Sequence, residues 1–117
     1  MNKQIERLQT NARMSQVVVA NGVVYLSGQV PDTAGAAIEV QATEILNRID
    51  KLLALAGVDK TSLLAANVWL SDPKHFDAFN GVWDAWVAEG HAPTRACVTS
   101  ILMRPGLDVE IAVTALA

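Results

Sequence analysis

A single cysteine, Cys97, stands among 117 residues, so no disulfide can close within the chain. Charge is scarce as well: 18% of the residues are charged and 51% are hydrophobic. Small domains have much surface and little interior, and a monomer of this size is expected to carry more charge than this. The excess of apolar residues points to a second buried surface, most simply a subunit interface. Positive charge is the scarcer sign, with 9 Lys and Arg against 12 Asp and Glu, for a net charge of −3. The clustered basic side chains of a nucleic-acid footprint are missing. Apolar runs fall well short of the ~18 residues needed to span a bilayer, so no membrane partner is expected. The first ten residues mix Lys3, Glu6 and Arg7 with polar side chains, unlike a signal or transit peptide. A reducing, cytoplasmic setting is the expectation. The two histidines, His75 and His91, are far apart and share no metal-ligand spacing with each other or with Cys97. Both read as solvated, and no metal site is expected. There is no phosphate loop, dinucleotide fingerprint or G-x-S-x-G elbow.

What is present reads as one domain over residues 1–117, without repeat or linker. A β-branched run at 17–20 and a second apolar run at 23–30 flank Asn21-Gly22, the strongest short hairpin signal, since both residues tolerate positive φ. A short strand at 5–8 precedes them. From about Ala36 the period changes: Ile38, Ala42, Ile45, Ile49, Leu52 and Ala56 recur at three- and four-residue steps, an amphipathic helix that Gly57 can stop. Residues 63–70 are apolar on both parities and read as a central strand buried on two faces. Ser71-Asp72-Pro73 caps a second helix with Phe76, Phe79, Val82, Trp83 and Trp86 as its stripe. Strands at 95–101 and 108–115 close the chain. The order βββαβαββ is an α+β arrangement: a mixed sheet of about six strands with two helices on one face. The other face is not strongly polar, and another copy of the chain is the simplest cover.

Arg95 opens an apolar strand whose alternation puts Arg95, Cys97 and Thr99 on one face. If that face is the one buried between subunits, the guanidinium needs an acceptor, since an unpaired buried ion costs several kcal/mol. Its planar fork suits a carboxylate bidentately. A substrate clamp and an interface salt bridge both satisfy this pattern. Glu110 sits mid-strand, where it can orient a water, accept a proton, or form an interface ion pair. Cys97 lies near Arg95 but has no histidine base on its strand, and lone cysteines are usually small buried hydrophobes. Gly28, between Ser27 and Gln29, would allow close backbone approach.

These residues resemble a known family. Ser27-Gly28-Gln29-Val30-Pro31 is similar to its S-G-Q-[IV]-P. Gln41-Ala42, Leu46-Asn47 and Ala56-Gly57 match its first helix. Asp72, Phe76 and Asn80 fit D-x-x-x-F-x-x-x-N, and 93–98 with Val109-Glu110-Ile111 fit the C-terminal signature. Over its whole length the chain resembles the Rid proteins, the YjgF-type reactive-intermediate deaminases. The resemblance implies a chorismate-mutase-like fold and a homotrimer with sites in clefts between subunits. It implies cofactor-free hydrolysis of 2-imino or 2-enamino acids, of the 2-iminobutanoate and 2-iminopropanoate type, to 2-oxo acids and ammonia. Arg95 would hold the substrate carboxylate, Glu110 would position or activate water, and Ser27 and Cys97 would complete the pocket. Met14 falls where the family has its pocket tyrosine, and Ile101 where it usually has a small or basic residue, which marks a divergent branch. Two other readings stay open: a non-catalytic oligomer that binds small carboxylates, which Met14 favours, and an RNA-acting protein, against which the net charge speaks.

Overall fold

The computed structural model describes residues 4–117. Six strands and two α-helices follow in the order β1 (Glu6–Thr10), β2 (Ser15–Ala20), β3 (Val23–Leu26), α1 (Ile38–Leu55), β4 (Leu63–Leu70), α2 (Phe76–Trp86), β5 (Thr94–Thr99) and β6 (Val109–Leu116). All six strands form one sheet in the order β1-β2-β3-β6-β4-β5. The β4–β5 pair is parallel and every other pair is antiparallel. This is the expected mixed sheet.

Local chemistry accounts for the turns. Asn21 and Gly22 both have positive φ, 51° and 78°, as the two-residue turn between β2 and β3 requires. Gly57 ends α1 at φ 82°. The Asp72 carboxylate accepts from the Lys74 backbone N–H at 2.8 Å, and Pro73 opens a single 3-10 turn (Pro73–His75) that leads into α2.

The third strand departs from expectation. Residues 23–30 read as one continuous run, yet the ladder stops at Leu26. It touches β6 again only where Gln29 bridges Ile111. Between them the chain leaves the sheet at Ser27-Gly28. At this point Gly28 lies against Glu110, described below.

Both helices cover the same face. Ile45, Ile49 and Leu53 of α1 and Phe79 of α2 are fully buried against Val17, Val24, Val68, Val109 and Ile111 of the sheet. Each such side chain contributes about 1.5–3 kcal/mol by leaving water. Gln41 is buried among them and is fully satisfied. It donates to Ala36 O at 3.0 Å and Gly106 O at 2.9 Å, and accepts from Asp108 N at 2.9 Å. One side chain of α1 thereby pins the loop that delivers β6. The opposite sheet face has no helix on it and leaves Tyr25 and Val98 exposed. No helix of the described residues is long and apolar enough to cross a membrane.

Candidate functional site

Strand register decides which candidate side chains can meet. Residues directly opposite one another on neighbouring strands share a face. Arg95 lies beside Ala66, and Ala66 beside Val113, so Arg95 belongs to the helix-covered face. Cys97 (beside Val68) and Thr99 (beside Leu70) follow it. Glu110 pairs with Trp69, and Trp69 with Val98, so Glu110 belongs to the uncovered face. Arg95 and Cys97 therefore do not sit on the face left for a partner. They look toward α2 from β5, the edge strand. The sequence could not decide this, because alternation says which residues share a face and not which face it is.

At this edge the Arg95 guanidinium carbon lies 5.4 Å from the Trp83 ring centroid and 6.0 Å from that of Phe79. Among the described residues no carboxylate comes within 4.0 Å of the guanidinium, and no side-chain hydrogen bond engages it. An ion pair within the chain is therefore not what holds Arg95. Further along the strand an apolar cavity of ≈ 210 Å³ is lined by Leu70, Pro73, Phe76, Cys97, Val98 and Thr99. Burial pushes the Cys97 thiol up, and the positive charge of Arg95 only partly offsets this. That direction disfavours the thiolate and speaks against a nucleophile here. Asn80 stands one turn from Phe76 and Trp83 on α2. Its buried Oδ1 has no donor among the described residues.

On the uncovered face the Glu110 carboxylate lies directly over Gly28. A Cβ on Gly28 would collide with Glu110 Oε2 and approach Cδ to 3.1 Å. Glycine is needed here for space, and this is where the third strand leaves the ladder. Glu110 lines a cleft of ≈ 280 Å³ with Trp69, Ser100, Ile101, Leu102 and Met103. Ile101 and Met103 are 91% and 89% exposed, an unusual state for two large apolar side chains in one short loop.

The Ser27–Gly28 turn is held from behind. Ser27 Oγ donates to Gln16 Oε1 at 2.9 Å, and the Gln29 amide donates to the same oxygen at 2.8 Å and to Ser27 O at 2.9 Å. Gln29 is only 3% exposed. Arg48 of α1 donates to Val30 O at 2.6 Å and pairs with Asp32. The importance of Gln16, Gln29 and Arg48 was not legible in the sequence, since each reads there as an ordinary polar residue. Met14 stands in the turn before β2, two residues ahead of Gln16. Its backbone closes on Asn11 and its side chain is exposed. The chain thus brings Gly28, beside Ser27, against Glu110, and sets Arg95 and Cys97 on the other face.

His75 is not simply solvated as expected. Its Nε2 is 3.8 Å from Asp108 Oδ1, and Ser71 Oγ donates to that same oxygen at 2.6 Å. The Ser71 proton points at the carboxylate, not at the imidazole, so this is no nucleophile–base pair. His91 is exposed, with Nδ1 2.9 Å from Glu89 O. Among the described residues no group of three His, Cys, Asp or Glu side chains could hold a metal.

Comparison with known proteins gives the class. The sequence model of the family described as Endoribonuclease L-PSP matches residues 4–117. The RutC family protein YoaB of Escherichia coli is 41% identical over 111 residues, covering 95% of this chain and 96% of that protein. A crystal structure of a YjgF family member from Neisseria meningitidis superposes with a TM-score of 0.93 at 43% identity, over 97% of this chain and 94% of the other. A Rid family protein of unknown function from Yersinia pestis superposes with a TM-score of 0.88 at 25% identity, over 99% of this chain and 100% of the other. The chain belongs to the L-PSP family, the group that includes the YjgF, RutC and Rid proteins, and its fold is chorismate-mutase-like.

Proposed function

We propose that the protein hydrolyses reactive 2-imino and 2-enamino acids to 2-oxo acids and ammonia, in a homotrimer whose sites lie between subunits. The observation that carries this reading is the state of Arg95, a cation at a sheet edge whose five N–H donors meet no acidic or other side-chain partner among the described residues. A planar carboxylate fits that fork. Glu110 is the complementary group, a carboxylate with no cationic partner among the described residues, lying against the Gly28 backbone. The two lie on opposite sheet faces, so one substrate meets both only if Arg95 of one copy is set against Glu110 of the next. The uncovered face and the exposed Ile101 and Met103 supply an apolar surface for that contact.

In this arrangement Arg95 holds the substrate carboxylate. Glu110 accepts a proton from water as its oxygen bonds to the imine carbon. The imine nitrogen takes that proton to give the neutral carbinolamine; its hydroxyl proton then passes through Glu110 to the nitrogen as the C=O bond forms, the C–N bond breaks and ammonia leaves. Imines hydrolyse unaided, so orientation and charge stabilisation are sufficient roles for a sparse site. Ser27 and the Met14 turn line the Glu110 side, and Cys97 lines the Arg95 side as a neutral group. The free thiol of Cys97 fits a reducing, cytoplasmic compartment.

The test is imine hydrolysis with the imine made in situ by an amino-acid oxidase, the remainder being trapped with semicarbazide. Wild type lowers the trapped fraction, and Arg95→Ala and Glu110→Ala do not. If wild type is inert as an intact oligomer, the second reading takes over: a carboxylate-binding trimer without turnover, favoured by Met14 where the family has a tyrosine. The endoribonuclease description of the family is the least supported reading here, since a net charge of −3 gives no phosphate-binding surface.

A further inference from the structure

We infer that Trp83 is a positioning residue for Arg95: its buried indole is a shelf that holds the guanidinium in one orientation without consuming its hydrogen-bond donors. The inference rests on the reading of Arg95 as a carboxylate clamp.

An arginine awaiting an anionic ligand has to be stabilised by something that does not compete with that ligand. A neighbouring Asp or Glu would occupy the fork. An aromatic face does not, because it attracts the cation through its quadrupole while the N–H groups in the guanidinium plane stay open. The Trp83 centroid lies 5.4 Å from the Arg95 Cζ, and Phe79 is at 6.0 Å, both within the range of this interaction.

The shelf is itself fixed. Phe79 is fully buried and Trp83 is 5% exposed. Their centroids are 6.3 Å apart, and Trp83 is backed by Trp86 at 5.4 Å. The Trp86 indole N–H donates to the Asp50 carboxylate of α1 at 3.1 and 3.2 Å. A continuous line thus runs from Asp50 through Trp86 and Trp83 to Arg95, tying an exposed edge side chain to the inter-helix packing. Long arginine side chains carry about 2 kcal/mol of rotamer entropy. A prepositioned fork meets that cost at folding and not at binding.

Calorimetry with 2-oxobutanoate, a stable 2-oxo acid, tests the inference, because it reads affinity and the number of competent sites separately. Trp83→Leu is expected to raise Kd by about threefold to thirtyfold with the site number unchanged. Trp83→Phe restores most of the affinity. In an Arg95→Gln background Trp83→Leu costs nothing further, since the shelf acts only through the guanidinium. If Trp83→Leu instead lowers the site number and leaves Kd alone, the residue is merely structural and the inference is overturned while the clamp stands. If Arg95→Gln does not change Kd, the clamp reading itself fails and this inference falls with it. Should Trp83→Leu not fold, the wild-type protein decides by NMR. A guanidinium over an indole face gives an Arg95 Nε–H resonance shifted to high field by the ring current, and an unshifted resonance refutes the shelf.

Discussion

Arg95 and Glu110 stand on opposite faces of one sheet, two strands apart, with β4 between the strands that carry them. The sheet keeps the two side chains on separate sides within one chain. If they act on the same substrate, each site takes one residue from each of two copies. Mixed oligomers test this. In the proposed homotrimer, Arg95→Ala and Glu110→Ala are each expected to be inactive. When co-refolded at equal amounts, about three quarters of the trimers contain both variants, and each of these regains one complete site in three. About a quarter of wild-type activity should return. Activity that stays at zero in verified mixed trimers would mean that the two residues serve one and the same copy, or do not cooperate at all.

Gly28 supplies the second prediction. A methyl group there would collide with Glu110 Oε2, and the neighbour that must give way is the candidate base. Gly28→Ala should leave the fold intact, since the uncovered face has room for the displaced carboxylate. It should reduce kcat/KM by about two orders of magnitude, the usual result of misplacing a reacting group by an ångström. Near-native kcat/KM in Gly28→Ala would show that the position of Glu110 over Gly28 does not matter to turnover.

These relationships mark the limit of what the sequence could disclose. The hairpin at Asn21-Gly22, the helix stopped by Gly57 and the central strand at 63–70 were legible because each is written in local chemistry: positive φ, a 3.6-residue period, an apolar run on both parities. Ladder register is not local. That Arg95 faces α2 and Glu110 faces away depends on Ala66 and Trp69, both on a third strand. The close approach of Gly28 to Glu110 was equally hidden, since the two lie more than eighty residues apart in the chain. Trp83 stands in the sequence as one member of the second helix's apolar stripe. It is core, and it is also the surface on which Arg95 rests.

Gln41 gives a prediction about stability. It is completely buried, and its amide satisfies two carbonyls and one N–H. Gln41→Leu keeps the volume and leaves Asp108 N without its partner, at about 1–3 kcal/mol, while Gly106 O keeps the Gly35 N–H. The expected loss is therefore about 1–3 kcal/mol. Denaturant unfolding at fixed protein concentration would measure it, and a change below about 0.5 kcal/mol would show that water replaces the amide at no cost.

The last prediction concerns Cys97 and pH. Burial is the leading effect on this thiol and disfavours the thiolate; the charge of Arg95 acts the other way and is weaker. The folded-state pKa is therefore raised above the unfolded value. The unfolded chain loses its proton first as pH rises, so the stability linked to this group is fully present below the ordinary thiol range and is lost as pH climbs through the folded pKa. Two outcomes follow. Thiolate absorbance in the folded oligomer should appear only above the pH at which the denatured chain shows it. Cys97→Ser, which keeps a small neutral group on the Arg95 face, should retain imine hydrolysis within a few-fold of wild type at neutral pH. A thiolate already present at neutral pH, together with loss of turnover in Cys97→Ser, would return Cys97 to the role of nucleophile and displace Glu110 from the centre of the mechanism.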